Sequence, residues 1–484
     1  MSCIFAESSK SAPEAATRAS LARFPEESLI LGSARAYTRN GLEFYQRCER
    51  IAGIVQTRFL WKSAYIITDP SAIADVLVRN PGSFTKPYTL RRLKVLFGDG
   101  LLTSDGEMWK HHRRLVQPAF SSGRMHAFIN VVRTNTKEMI ASWRDGEVRD
   151  IYSELVELCL KNVTQTMFGI YDDELADLVQ ALAITCHELM RAVFDVIRPL
   201  PFRFPGKLQR RVEQQLEDLN HYLGRLIDRR SREPERNDFF GLLLSGLDGH
   251  EPLSRQEILD ESVTLLLAGH ETTTSALVWS LYLLARHAQH ADKLACELAS
   301  SLRGEAPQES DLETLECLRA TVDETLRLYP PTHRIARTVT KPVMVGGHEL
   351  PTGTDVVLPQ WAVHRSSRWY RESESFMPER WSAAFRKSLP KCAYFPFSGG
   401  PRTCVGAQFA WSEVAVILGL LAQHFRFSLC DHAPLMPSEG LTMLPAPARL
   451  RVKLELRSAT ASPRLSTVRS MALPGLTCQA GEMF

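Results

Sequence analysis

The stretch Phe397-Ser-Gly-Gly400-Pro-Arg402-Thr-Cys404-Val-Gly406 decides how this chain is read, because it sets one cysteine between two glycine-rich turns immediately ahead of a helix. Backbone amides of a tight turn and the positive end of the following helix favour a thiolate over a thiol. A cysteine that binds a metal does so as the thiolate. An inert buried cysteine in a Gly-rich turn is the alternative that this segment alone leaves open.

Outward from this segment, a helix is expected from Ala407 to Phe425 and a strand around Leu450–Leu456. Upstream, Thr338–Leu358 reads as short strands with turns at Gly346-Gly347 and Pro351-Thr-Gly353, followed by an irregular Arg- and Pro-rich stretch to Thr403. Ser254–Ser301 contains no proline and opens on Ser254-Arg-Gln-Glu257, a capping box, which predicts one long helix. Its segment from Val263 to Ala285 is apolar nearly all round, as suits a helix running through the middle of a domain. Most of Met108–Arg327 has helical periodicity, with a break at Pro199–Pro205 that is expected to be exposed and mobile. Leu42–Val78 predicts a helix, then strands around Ile54–Leu60 and Ala64–Thr68, then a turn at Asp69-Pro70 into another helix. The fold class is therefore mainly α with a small β-rich lobe.

Of the 484 residues 44% are apolar and 23% charged, the profile of a globular chain with a substantial core. Basic residues exceed acidic ones by three, which gives no argument for a nucleic-acid partner. The ten cysteines form no C-x-x-C pair and no zinc-type cluster, so a reduced, cytoplasmic chain is expected. No window approaches the roughly 18–20 apolar residues of a membrane span. Residues 1–24 read as a flexible tail and 457–484 as a poorly ordered extension, leaving 25–456 as one unit.

Three further constellations carry chemistry. Ala268-Gly-His-Glu271-Thr272-Thr273 places polar groups inside the apolar helix, where a buried carboxylate costs several kcal/mol unless paired or used. Threonines there bond back to the preceding turn and, with Gly269, would open a groove; an interhelical salt bridge with packing threonines is the plainer alternative. Glu324-Thr-Leu-Arg327 sets acid and base three apart on one helix, ordinarily a solvated pair. Trp109-Lys-His-His-Arg113 sets an indole N–H and a guanidinium on one helical face, both donors to carboxylates.

With these motifs in this order, the chain from about residue 109 to 406 resembles the cytochromes P450. The resemblance implies haem (heme b, iron protoporphyrin IX) with Cys404 as the metal ligand. Phe397 would pack near the sulfur, Gly400 would form the turn, and Gly406 would let the helix approach the porphyrin. Trp109, Arg113, Arg337 and Arg402 would hold the propionates. Glu271 and Thr272 would act as the acid–alcohol pair that delivers protons to bound oxygen, while His270 would make a structural hydrogen bond. Glu324 and Arg327 would join Arg380 of Pro378-Glu-Arg380-Trp381 in a structural triad, with Trp381 where many members carry another aromatic residue.

By family position, the substrate pocket would include Val263, Leu267, Ala268, Ile335 and Leu441, together with residues of Phe84–Leu102 and Met190–Pro205. These residues are mostly apolar and imply a lipophilic substrate such as a terpenoid, steroid or fatty acid. No flavin or iron–sulfur module is visible, so electrons from NAD(P)H would arrive through a ferredoxin or flavodoxin with its reductase, docking on Lys110, Arg114 and Lys391. A monomer is expected. A peroxide-using enzyme and a non-catalytic haem-thiolate protein are the alternatives.

Overall fold

Ser254 starts the central helix as its sequence predicts. Its hydroxyl accepts from the Glu257 amide and the Glu257 carboxylate accepts from the Ser254 amide, a complete capping box. The protein is described here by a computed structural model covering residues 21–194, 206–232, 239–245, 251–431 and 433–457. The expected loop at Pro199–Pro205, residues 1–20 and residues 458–484 lie outside the described residues.

In chain order the principal helices are α1 (Gly41–Ile51), α2 (Gly106–Val116), α3 (Ser122–Ala141), α4 (Ile151–Phe168), α5 (Asp173–Phe194), α6 (Gly206–Arg230), α7 (Phe239–Ser245), α8 (Arg255–Arg286), α9 (Ala288–Leu302), α10 (Glu316–Leu328) and α11 (Ala407–His424). The central helix α8 packs against α4, α10 and α11, and every residue from Thr273 to Leu284 is buried. The single long helix expected to Ser301 is two helices. The chain breaks at His287, whose φ of −125° and ψ of 69° leave the helical region, and α9 turns back onto α11.

The β-rich lobe is a six-stranded sheet in the order β1 (Ala22–Arg23), β2 (Ile54–Phe59), β3 (Lys62–Ile67), β9 (Asp355–Leu358), β6 (Ile335–Val339) and β4 (Phe84–Thr85). β2 and β3 form an antiparallel hairpin with Ile54 opposite Ile67, and their alternate residues reach the lobe's own core around Tyr65, Ile67, Val356 and Leu358. β7 (Val343–Val345) and β8 (His348–Leu350) pair across the Gly346-Gly347 turn, where both glycines have positive φ. The chain ends in β10 (Phe425–Leu429), β11 (Met436–Ser438), β12 (Leu444–Ala446) and β13 (Arg451–Leu456); β13 pairs with both β10 and β5 (Val148–Asp150).

The tail boundary moves. β1 pairs in parallel with β2, and Phe24 is buried against Phe44, so ordered structure begins before residue 25. At the other end Arg457 pairs with Asp292 and donates its amide to the His424 carbonyl, so the ordered chain continues beyond Leu456.

The i, i+3 pair on α10 is the reverse of a solvated one. Arg327 and Glu324 are both fully buried, and Glu324 also accepts from Arg380 Nε at 3.0 Å, Trp381 Nε1 at 2.9 Å and the Met377 amide at 2.9 Å. Arg327 spends its other N–H groups on the carbonyls of His364, Ser373 and Ser375. One carboxylate and one guanidinium thus fix the irregular stretch that leads to Cys404. Trp381 is more than a variant aromatic, because its indole N–H makes a bond that phenylalanine could not.

Candidate active site

The turn that carries Cys404 is shaped by positive φ at Ser398 and Gly400, both +67°. At Gly400 no side chain is possible: a Cβ would lie 1.8 Å from the Leu77 carbonyl oxygen. The Cys404 amide donates to the Phe397 carbonyl at 3.0 Å, which closes the loop, and α11 begins directly after Gly406. A Cβ on Gly406 would meet only the Phe120 ring, at 3.4 Å, so no protein neighbour demands this glycine.

Cys404 is exposed to a cavity of about 460 Å³ between α8 and α11. Burial raises its thiol above the ordinary value, against the Gly406 amide and the Arg113 charge, which lower it. The amide and the charge act in the direction expected of the turn, and a cation bonded to sulfur would add to them.

Trp109, Arg113, Arg337 and Arg402 all line this cavity with Phe397, as the sequence motifs suggested. The Arg402 guanidinium lies 4.3 Å from the Trp109 ring centre and pairs with Asp105, while Arg113 donates to the Thr403 carbonyl at 2.7 Å. Lys86 joins them from the segment before α2, its ammonium donating to the Leu101 and Ser104 carbonyls at 2.7 Å each. Positive charge is in excess. Burial and then Arg402 hold Arg337 down to about 10 and Lys86 down to about 7, and burial lowers Arg113. Asp105 is the carboxylate placed among them, and Arg402 Nη1 is buried with no protein acceptor. An anionic group with two carboxylates fits this cluster, and a metal bound to Cys404 fits the cavity beside it.

The central helix presents Thr264, Leu265, Ala268, Thr272, Thr273 and Ala276 to the cavity. Ala268 is where the sequence placed it; Val263 and Leu267 are not. Those two are buried in the helical core, 2% and 5% exposed, because a helix turns about 100° per residue and the face containing Ala268 continues through 264, 265 and 272. Ile335 and Leu441 line the cavity as expected, together with Thr89, Leu90, Leu101 and Leu102 from the 84–102 stretch. The expected contribution from Met190–Pro205 falls on side chains outside the described residues.

Thr272, Thr273 and Thr274 bond back to the carbonyls of Ala268, Gly269 and His270 at 2.7, 2.9 and 2.8 Å. The helix runs unbroken through them, and Gly269 has another use: a Cβ there would come within 2.9 Å of Val163 on α4. His270 is buried outside the cavity wall, its Nδ1 2.7 Å from the Leu266 carbonyl. The acid–alcohol pair is divided. Thr272 is in the wall, but Glu271 is not, and its carboxylate accepts from the Thr442 hydroxyl at 2.7 Å.

A second carboxyl behind this wall escaped sequence reasoning. Glu413, on α11, is buried; Asn162 Nδ2 donates to it at 2.8 Å and the Thr273 hydroxyl lies 3.4 Å from its other oxygen. Burial, against those two bonds, pushes it up to about 8. The signal was a lone acid in the apolar run after Cys404. Thr264 and Leu265 could have been found by counting turns back from Ala268, whereas nothing local marks Lys86.

Comparison with known proteins agrees with this site. The family model described as Cytochrome P450 matches residues 24–452. Among curated relatives, cyclooctatin synthase of Streptomyces melanosporofaciens is 29% identical over 87% of this chain and 93% of its own. Cyclooctat-9-en-7-ol 5-monooxygenase of the same organism is 30% identical over 82% and 87%. Among solved structures, the haem domain of P450DA in a triple-mutant form superposes with a TM-score of 0.79 at 25% identity, covering 91% of this chain and 98% of that one. Among the described residues no helix is long and apolar enough to cross a membrane.

Proposed function

The chain belongs to the cytochrome P450 family and is a monooxygenase of class EC 1.14, and on that premise we propose that it places one oxygen atom from O2 into a lipophilic small molecule by hydroxylation or epoxidation. The observation that supports this most is one cavity joining the Cys404 thiol, four converging N–H donors and a largely apolar wall.

Haem, when bound, supplies the oxygen chemistry, and the protein supplies aim and proton control. Cys404 would hold the iron, and Trp109, Arg113, Arg337 and Arg402 the propionates, whose two charges would relieve the positive excess described above. Ala268, Ile335 and Leu441, with Leu90 and Leu101, would exclude water and orient the substrate. Thr272 would hold a hydroxyl proton at the cavity wall. To serve as its proton source Glu271 would have to turn away from Thr442. That division favours, as a second reading, a peroxide-using enzyme, in which the peroxide brings its own two protons and none need be delivered from solvent.

A terpenoid is the first choice of substrate, ahead of a steroid or fatty acid. Relatives named for cyclooctat-9-en-7-ol and for pentalenene, the latter 29% identical, support it. Electrons from NAD(P)H would come through a ferredoxin or flavodoxin with its reductase to a cytoplasmic enzyme. The docking candidates Lys110, Arg114 and Lys391 are exposed, although Lys110 also pairs with Glu107.

The test is spectroscopic. Haem-reconstituted protein, reduced under carbon monoxide, should give the red-shifted thiolate band, and Cys404→Ala should not. A panel of terpenoids, steroids and fatty acids read by the Soret spin-state shift then ranks the substrate classes; no shift with any of them overturns the lipophilic assignment. Turnover with peroxide alone, set beside reductase plus NAD(P)H, separates the two readings.

A further inference from the structure

Helix α2 carries Trp109 and Arg113 on the cavity side, yet it buries little: among its residues only His112, Leu115 and Val116 are buried. His112 is completely buried and is the one polar group of the three. It lies about 100° around the helix from Arg113, so when Arg113 faces the cavity His112 faces the central helix α8. There its Nδ1 is 2.7 Å from Glu261 Oε1 and its Nε2 3.1 Å from Glu257 Oε1. Glu257 and Glu261 stand four residues apart, on one face of α8.

We propose that His112 is a positioning residue: clamped as an imidazolium between Glu257 and Glu261, it sets helix α2, and so Trp109 and Arg113, at a fixed distance from the central helix. The proposal rests on the reading of Trp109 and Arg113 as donors to the cofactor's carboxylates.

Both ring nitrogens face carboxylate oxygens, so both are donors only when the ring is protonated. Neutral imidazole would leave one nitrogen lone pair against a carboxylate. Burial by itself would lower His112, but the bonds and charges of Glu261 and then Glu257 outweigh it and hold the ring above its ordinary value. The neighbours agree with a charged clamp. From α8 come Glu257, whose other oxygen accepts from the Ser254 amide, and Glu261, which burial raises against the bond and charge of His112 and whose second oxygen is buried without a protein partner. From the segment before α2 comes the Lys86 charge, acting on Glu261. On α2 itself the His111 ring lies 6.0 Å away, and α7, Phe-Phe-Gly-Leu-Leu-Leu-Ser, brings no titratable group.

A buried ion pair is rarely a gain in stability over apolar side chains of the same volume. What it adds is direction. Two bonds at fixed angles hold α2 against sliding or rotating on α8, which an apolar contact would resist less.

The test follows haem release from reconstituted protein to apomyoglobin across pH 6 to 9. Wild type should release haem slowly at the acid end and roughly tenfold faster once His112 is deprotonated. His112→Gln should release it fast at both ends, with a flat profile. Glu257→Gln, at a position 29% exposed and therefore tolerant, should do the same more weakly and covers the case in which the first variant does not fold. In a Trp109→Phe/Arg113→Lys background, His112→Gln should add nothing. In cofactor-free protein, the histidine 15N spectrum should show one ring, absent from His112→Gln, that keeps both ring protons above pH 7. A neutral His112 at pH 6.5, or a wild-type release profile unchanged in both variants, overturns the clamp. If instead Trp109→Phe/Arg113→Lys leaves release unchanged while the spectrum shows the doubly protonated ring, the propionate reading has failed and the positioning role fails with it, by a separate signature.

Discussion

Arg327 meets Glu324 with two parallel bonds of 2.8 Å, Nε to Oε2 and Nη2 to Oε1, and neither side chain is exposed to solvent. Removing one partner leaves a buried charge without compensation, which costs about 3–5 kcal/mol. Glu324→Ala should therefore lower the unfolding midpoint sharply, since it strands Arg327, Arg380 and the Trp381 indole together. Trp381→Phe should cost less, about 1.5–3 kcal/mol, the worth of one hydrogen bond to a charged group. Denaturant unfolding of the two variants at one pH checks the order.

The two glycines of the cysteine loop should behave differently. Gly400→Ala places a methyl group against the Leu77 carbonyl at a positive φ and should destabilise even the cofactor-free protein by several kcal/mol. Gly406→Ala meets only a movable ring and should leave cofactor-free stability within about 1 kcal/mol. Any haem-binding defect in Gly406→Ala would then measure the approach of the porphyrin itself, by titration with hemin.

Residues on two faces of α8 should separate selectivity from stability. Leu267→Ala should cost about 2–5 kcal/mol on unfolding and leave the ranking of substrate-induced Soret shifts unchanged. Ala268→Phe should do the opposite, since it fills a section of the cavity wall. A change of ranking in Leu267→Ala would contradict the face assignment.

Glu413 predicts a pH dependence of stability. An unfolded glutamate titrates near 4.5 and this buried one near 8, so the folded protein holds an extra proton between those limits. Stability from this group is full below pH 4.5 and is lost as pH rises through 8. Glu413→Gln should remove that slope, gaining about 3 kcal/mol relative to wild type between pH 5 and pH 8. Denaturant midpoints at three pH values in this window measure it.

Much of the site was legible because its components are local. The cysteine loop, the Trp109/Arg113 spacing and the Ser254 capping box each depend on residues within ten positions of one another, where turn geometry and helical periodicity fix what can touch. The errors also have local causes. Family position, taken without counting helical turns from Ala268, placed Val263 and Leu267 in the pocket, and treating the absence of proline as continuity missed the break at His287. For Glu324 and Arg327 the spacing along one helix says nothing about what covers it, and only the resemblance pointed to the contact with Arg380 that the structure contains.

By itself the sequence determined that one cysteine sits in a turn ahead of a helix, that a capped apolar helix crosses the fold, and that a guanidinium and an indole share a face. Such features follow from backbone sterics and side-chain period, which act over a few residues. Only the tertiary structure decided that Glu271 turns to Thr442, that Lys86 joins the arginines, and that His112 lies between two acids of another helix. Glu271 and Thr442 are 171 positions apart and His112 and Glu261 are 149 apart, and packing alone brings such groups within reach.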